Sequence, residues 1–257
     1  MLWRVGRPLV YSICVHTRRE VNKGLLNIAH RGASGCFPEN TLVAFRAAIE
    51  AGADMCELDV QLTRDGAMVV IHDDKVDRTT DGNGPVAAMT LAEIKRLDAG
   101  ARFSDCFKGE IIPTLEEVFD LVDGRCALNI ELKSPGLEAK VTGLVRERGA
   151  VGSTLISSFD WEALARIRHI APELRVGLLA SRWPARLIGA ATEMKADAIN
   201  PSYDIVTEDL CIAAHSREIN VYAWTVDEPA VMRRLIADGA DGIMTNWPGR
   251  LAELIGR

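Results

Sequence analysis

The chain has 257 residues, 48% hydrophobic and 26% charged, with mean hydropathy near zero; this composition excludes a disordered polymer and supplies enough apolar surface for one sizeable core. A net charge of −6 with no basic run excludes the row of phosphate contacts that nucleic-acid binding requires. No stretch approaches the ~18 apolar residues of a membrane span, and six cysteines without a C-x-x-C pair fit buried thiols in a reducing, cytoplasmic compartment rather than a disulfide framework or a zinc site.

Residues 1–24 read as an N-terminal extension: Arg4 and Arg7 precede a short apolar run that ends in "HTRREVNKG" with no small-residue cleavage site. From there, short apolar runs alternate with amphipathic segments over 25–257, which is expected to form a single domain. Strands are predicted at 25–29, 55–62, 127–132, 154–158, 175–179, 196–200, 220–226 and 242–245. Helical patterns follow them, among others at 41–50, 115–122, 161–170, 227–237 and 248–255, with Asn40 placed to cap the first. "GAD" occurs at 52–54 and again at 239–241, marking two equivalent helix-to-strand junctions. Eight βα repeats in one chain predict an α/β fold, a (β/α)8 TIM barrel.

Two departures interrupt the rhythm. Within "QLTRDGAMVVIH", Asp65 and Gly66 predict a two-residue hairpin loop that sets Val60 opposite Ile71 and Asp59 opposite His72. Residues 73–113 then form a short loop-rich insertion after the second strand unit, with one helix expected at 91–97. Insertions of this kind in compact folds are usually functional, so it is read as a lid or specificity wall.

Charged side chains inside buried parallel strands are costly unless they gather at the barrel's C-terminal mouth and are paired or hold a metal. Three segments carry them there: His30 and Arg31 end the first strand, Glu57 and Asp59 lie in the second, and Glu131 and Lys133 share a face of "ALNIELKS". Taken singly, Glu57 with Asp59 also reads as an exposed sheet edge, and Glu131 with Lys133 is similarly ambiguous; convergence of all three segments at one end favours a site. Glu57, Asp59 and Glu131 form an all-oxygen donor set suited to one divalent cation, Mg²⁺ or Ca²⁺, rather than zinc. His30 and His72 titrate near ~6.5 when unperturbed and suit proton transfer, while Arg31 and Lys133 supply positive charge for a bound anion. Gly32 fits a tight turn or a close approach that a Cβ would obstruct. Together these groups describe a site that cleaves a phosphodiester.

The ordered set "HRG", "PENT", "ELDVQLTRDG", "VVIHDD", "VDRTT", "IPTLEEV", "NIELK", "ISSF", "VYAWTVDE" and "DGIMTNWP", spanning about 27–248, resembles the glycerophosphodiester phosphodiesterase family. The resemblance implies a barrel, a divalent cation, and hydrolysis of small-molecule glycerophosphodiesters to an alcohol and sn-glycerol 3-phosphate. It matches His30 and His72 to the acid/base pair, Glu57, Asp59 and Glu131 to the metal ligands, and Arg31 and Lys133 to phosphate contacts. Phe159 and Trp224 match apolar positions near the glycerol; by alternation alone, Trp224 reads as core. The family also suggests attack of the glycerol 2-hydroxyl on phosphorus, with direct attack by water as the other route. A lysophospholipase D- or sphingomyelinase D-like phospholipase activity and a catalytically silent phosphate-binding protein are the alternatives. A homo-oligomer is the one further partner expected.

Overall fold

The structure, a computed structural model, describes residues 24–182 and 186–257. The expected extension, apart from Gly24, lies outside them. The strands in chain order are β1 (Leu26–His30), β2 (Met55–Leu62), β3 (Met68–Val70), β4 (Ala127–Leu132), β5 (Thr154–Ser158), β6 (Arg175–Ala180), β7 (Ala198–Pro201), β8 (Asn220–Ala223) and β9 (Gly242–Thr245). All but β3 pair in parallel, and β1 meets both β9 and β2, which closes an eight-stranded barrel. The helices are α1 (Leu42–Glu50), α2 (Leu91–Ile94), α3 (Leu115–Val122), α4 (Glu138–Glu147), α5 (Trp161–Ile170), α6 (Leu187–Met194), α7 (Glu208–His215), α8 (Pro229–Asp238) and α9 (Pro248–Leu254). The fold is the predicted TIM barrel. Among the described residues no helix is long and apolar enough to cross a membrane.

The apolar alternation of the strands sorts the core into two shells. Outward residues such as Ala29, Leu58, Ile130 and Ile156 pack against the helices, and inward residues, including Ile28, Met55, Leu155, Tyr222 and Met244, fill the barrel interior. The insertion is better ordered than its loop-rich sequence suggests. Val76, Val86, Ile94, Ala99 and Ile112 pack with Val69 of β3 and with Ile71 into a small separate core, and Thr90 closes a capping box with Glu93 at the start of α2. That helix is one turn, shorter than the predicted 91–97.

Three helix-to-strand junctions share one construction. Gly52, Lys195 and Gly239 all adopt positive φ, and the next residue's N–H reaches back to a carbonyl five residues earlier, as in a Schellman turn. The Asp that follows in each case, Asp54, Asp197 or Asp241, exchanges hydrogen bonds with the preceding barrel strand at Asn27, Val176 or Val221. Its carbonyl accepts from Ala127, Asn220 or Leu26 of the strand on its other side. Each carboxylate also meets a basic side chain: Arg257, Arg168 or His215. The two "GAD" repeats are therefore equivalent as predicted; the third junction reads "KAD" because Lys195 takes the left-handed position.

The hairpin register differs from the prediction by one residue. Thr63 Oγ1 hydrogen-bonds Asp65 and accepts from Ala67 N, and Thr63 N donates to Ala67 O. The loop is therefore Arg64, Asp65 and Gly66, with Gly66 at φ 79°. Val60 consequently pairs with Val70, not Ile71, and Asp59 O accepts from Ile71 N rather than standing opposite His72. Other boundaries shift modestly. Thr41, not Asn40, caps α1, β8 leaves the sheet after Ala223, and α8 begins at Pro229 rather than at residue 227.

Candidate active site

β1 and β2 align so that His30 stands beside Glu57, and β2 and β4 so that Asp59 stands beside Glu131. Since alternate strand residues share a face, Glu57, Asp59 and Glu131 converge at the C-terminal end of the barrel. One oxygen from each lies within 4.8 Å of the others, and all three residues are buried. Desolvation, and the repulsion of neighbouring carboxylates, raises the Glu57 carboxyl well above its usual range and pushes Glu131 up to about 7, against the opposing pull of Lys133. A divalent cation fits this set: it would relieve the crowding, it prefers all-oxygen donors, and Asp59 Oδ1 is buried without a hydrogen-bond partner.

Two cations border the carboxylates. Lys133 Nζ lies 2.9 Å from Glu131 Oε1 and 3.8 Å from Asp59 Oδ1. Arg31 sits at φ 57°; its N–H donates to Glu57 Oε2 at 3.0 Å, its Nη1 to Glu39 Oε1 at 2.9 Å, and its Nε lies 3.2 Å from Asp59 Oδ2. This turn depends on Gly32, at φ +82°, where a Cβ would lie 2.7 Å from the Ala44 carbonyl carbon. The close approach expected of Gly32 is thus to the backbone of α1. Asn40, also at positive φ, donates from Nδ2 to Asp59 Oδ2 at 2.9 Å, so it orients a carboxylate of the cluster.

The histidines are anchored differently. His30 Nδ1 lies 2.7 Å from Asn246 Oδ1, and Asn246 Nδ2 donates to Asp227 at 2.7 Å. An amide oxygen fixed in this way accepts a hydrogen bond from Nδ1–H and so leaves Nε2 as an acceptor. Burial, and then Arg31, lowers the His30 pKa to about 4. His72 Nδ1 lies 2.6 Å from Asp73 Oδ1. It is not set by strand pairing: Gln61 Nε2 holds the His72 and Asp73 carbonyls at 3.1 and 2.7 Å. Arg78 grips Asp73 and Glu39 together, and these hydrogen bonds outweigh burial to bring the Glu39 carboxyl down to about 2.

These groups surround an open cavity whose walls include His30, Arg31, Glu57, His72, Glu131 and Lys133. Phe159 and Trp224 also line it, their rings 5.6 Å apart and edge-on. Asp59 lies behind the wall, wholly buried. His169 and His215 lie away from it, His169 on the exposed side of α5 and His215 at the end of α7. Sequence reading missed Glu39, Asn40, Asp73, Asn246 and Asp227 as members of the site. Asn40 resembled a helix cap, and Asn246, held by Asp227, is brought to His30 only by closure of the barrel between β9 and β1.

The model of the Glycerophosphoryl diester phosphodiesterase family matches residues 30–250. A glycerophosphodiester phosphodiesterase of Caldanaerobacter subterraneus is 44% identical over 236 residues, covering 90% of this chain and 97% of that protein. The crystal structure of a glycerophosphodiester phosphodiesterase from Agrobacterium tumefaciens is 35% identical, with TM-score 0.80 over 88% of this chain and 98% of that one. An Oleispira antarctica phosphodiesterase, solved in complex with the product sn-glycerol-3-phosphate, is 30% identical, with TM-score 0.83 over 90% and 96%. A fold, a motif order and a family model that agree over nearly the whole described chain place it: the chain belongs to the glycerophosphoryl diester phosphodiesterase family.

Proposed function

We propose that this chain hydrolyses glycerophosphodiesters to an alcohol and sn-glycerol 3-phosphate, through one catalytic domain over 25–257 with one divalent cation, Mg²⁺ or Ca²⁺, held by Glu57, Asp59 and Glu131. The observation that carries the reading is one cavity lined by Glu57, Glu131 and two imidazoles, each imidazole fixed through Nδ1, with Asp59 completing the carboxylate cluster from behind its wall. The cation, when bound, supplies Lewis-acid polarisation of a phosphoryl oxygen. Arg31 and Lys133 neutralise the phosphate charge, and Phe159 and Trp224 pack against the glycerol carbons. His30, neutral near pH 7 and with Nε2 free to accept, removes the proton of the attacking hydroxyl. His72, backed by Asp73 and Arg78, delivers a proton to the leaving oxygen. Water suits this scheme as a direct nucleophile; the glycerol 2-hydroxyl suits it as well, displacing the alcohol to leave a cyclic phosphate that water then opens to sn-glycerol 3-phosphate. The scattered cysteines, without a C-x-x-C pair, support a cytoplasmic location for the protein.

A panel of glycerophosphodiesters followed by phosphorus NMR with Mg²⁺, with Ca²⁺ and with chelator tests this reading. It expects a cation-dependent sn-glycerol 3-phosphate resonance; turnover that persists in excess chelator refutes it. One observation favours lysophospholipids as a second substrate class. Phe103 and Ile111 of the insertion are 46% and 38% exposed, and Phe103 continues an aromatic row through Phe107 to Phe37, which could take an acyl chain. Lysophosphatidylcholine in the same panel decides between them.

A further inference from the structure

Between the apolar barrel interior and the charged mouth lies a layer of polar side chains that the proposed chemistry leaves unused. Asn129 is the register partner of Glu57, and Ser157 of Glu131. Both line the cavity, both are wholly buried, and neither Asn129 Oδ1, Asn129 Nδ2 nor Ser157 Oγ has a hydrogen-bond partner. Asn200, two strands beyond Ser157, is orphaned in the same way. It lies over Gly177, where a Cβ would fall 3.0 Å from Asn200 Oδ1. Buried amides and hydroxyls almost always find partners, and leaving them unpaired is destabilising. Such a layer beside a cavity therefore points to a ligand that completes it.

The donor and acceptor pattern narrows that ligand. An amide and a serine hydroxyl each both donate and accept. A phosphate or carboxylate would satisfy only the donors and would face Glu57 and Glu131; an ammonium would satisfy only the acceptors. A hydroxyl does both. Leu179, Met244 and Trp224 line the same cavity and offer apolar surface to carbons. We propose that Asn129 and Ser157 form a subsite for the hydroxyls of the glycerol moiety, selecting diesters with a glycerol arm. The inference rests on the phosphodiesterase reading and extends it to substrate selection.

Asn129→Leu and Ser157→Ala test it. For each, kcat/KM is measured on glycerophosphocholine and on bis(4-nitrophenyl) phosphate, which has no glycerol. Calorimetry with Ca²⁺ present gives the affinities for sn-glycerol 3-phosphate and inorganic phosphate, and a Ca²⁺ titration alone gives cation affinity. The ratio of the two kcat/KM values is expected to fall roughly tenfold in each variant, as for loss of a buried hydrogen bond. The preference for sn-glycerol 3-phosphate over phosphate should fall with it, while melting temperature and Ca²⁺ affinity persist. Equal losses on both substrates, no loss on either, or a drop confined to Ca²⁺ affinity, as expected if these groups hold only water around the ion, overturns the subsite. Wild-type protein that turns over neither diester defeats the phosphodiesterase reading alone, and the binding comparison then decides the subsite. Wild-type binding of sn-glycerol 3-phosphate no tighter than phosphate overturns it.

Discussion

Replacing Glu131 by Gln should make the cation-free protein more stable at alkaline pH, although it removes a buried ion pair. Glu131 is 8% exposed. Burial, and then Asp59, pushes its pKa from 4.5 to about 7, a net effect that already includes the opposing contribution of Lys133. A carboxyl whose pKa is higher in the folded state gives its full stabilisation below its unfolded pKa and loses it as pH rises through the folded one. Wild type should therefore weaken between pH 4.5 and about 7. At pH 8 the shift corresponds to about 3 kcal/mol, or a melting difference of about 6–12 °C for a protein of this size. The glutamine variant never ionises and escapes this loss, and Lys133 keeps Asp59 at 3.8 Å. Thermal unfolding in chelator should show the variant melting higher at pH 8, with the gap mostly closed at pH 5. Added Ca²⁺ should then raise wild type by about 2.7 kcal/mol at a hundredfold excess over Kd, and the variant by less. A variant no more stable than wild type in chelator at pH 8 would refute the claim that crowded, desolvated carboxylates store this energy.

Alanine at His30 or His72 should lower kcat by roughly 10²–10⁴ while Ca²⁺ titration gives near wild-type affinity; normal turnover in either variant removes that residue from the proton-transfer scheme. Because Glu57 and Glu131 have raised pKa values, a cation must displace protons from them, so affinity should rise with pH through about 7. Calorimetry in two buffers of different ionisation enthalpy should then register proton release, and equal apparent enthalpies would contradict it. Gly32→Ala places a methyl 2.7 Å from the Ala44 carbonyl carbon at a positive φ; denaturant unfolding should show a loss of roughly 1–3 kcal/mol, and an unchanged midpoint would count against the close approach.

The barrel was legible because its strands, buried on both sides, read as apolar runs separated by capped amphipathic helices. The acidic trio was legible because a carboxylate inside such a strand is too costly to persist unless a cation offsets it. What escaped prediction depended on details smaller than a pattern. The hairpin slipped by one residue because Thr63 Oγ1 widened the loop, yet His72 still reaches the cavity because Gln61 holds its backbone carbonyl. Asn40 looked like a cap until its positive φ turned its amide toward Asp59. Asn246 lies 216 residues from His30, a proximity that only ring closure creates and that no local spacing encodes.

The thrice-repeated aspartate junction has a consequence for how this scaffold tolerates change. Asp54, Asp197 and Asp241 each lash together three consecutive staves from beneath, at the rim remote from the imidazoles. Loops at the upper rim can then be lengthened, shortened or traded without loosening the hoop that holds the staves in register. Loss of one lashing would loosen the whole vessel while every reactive side chain stayed in its sequence.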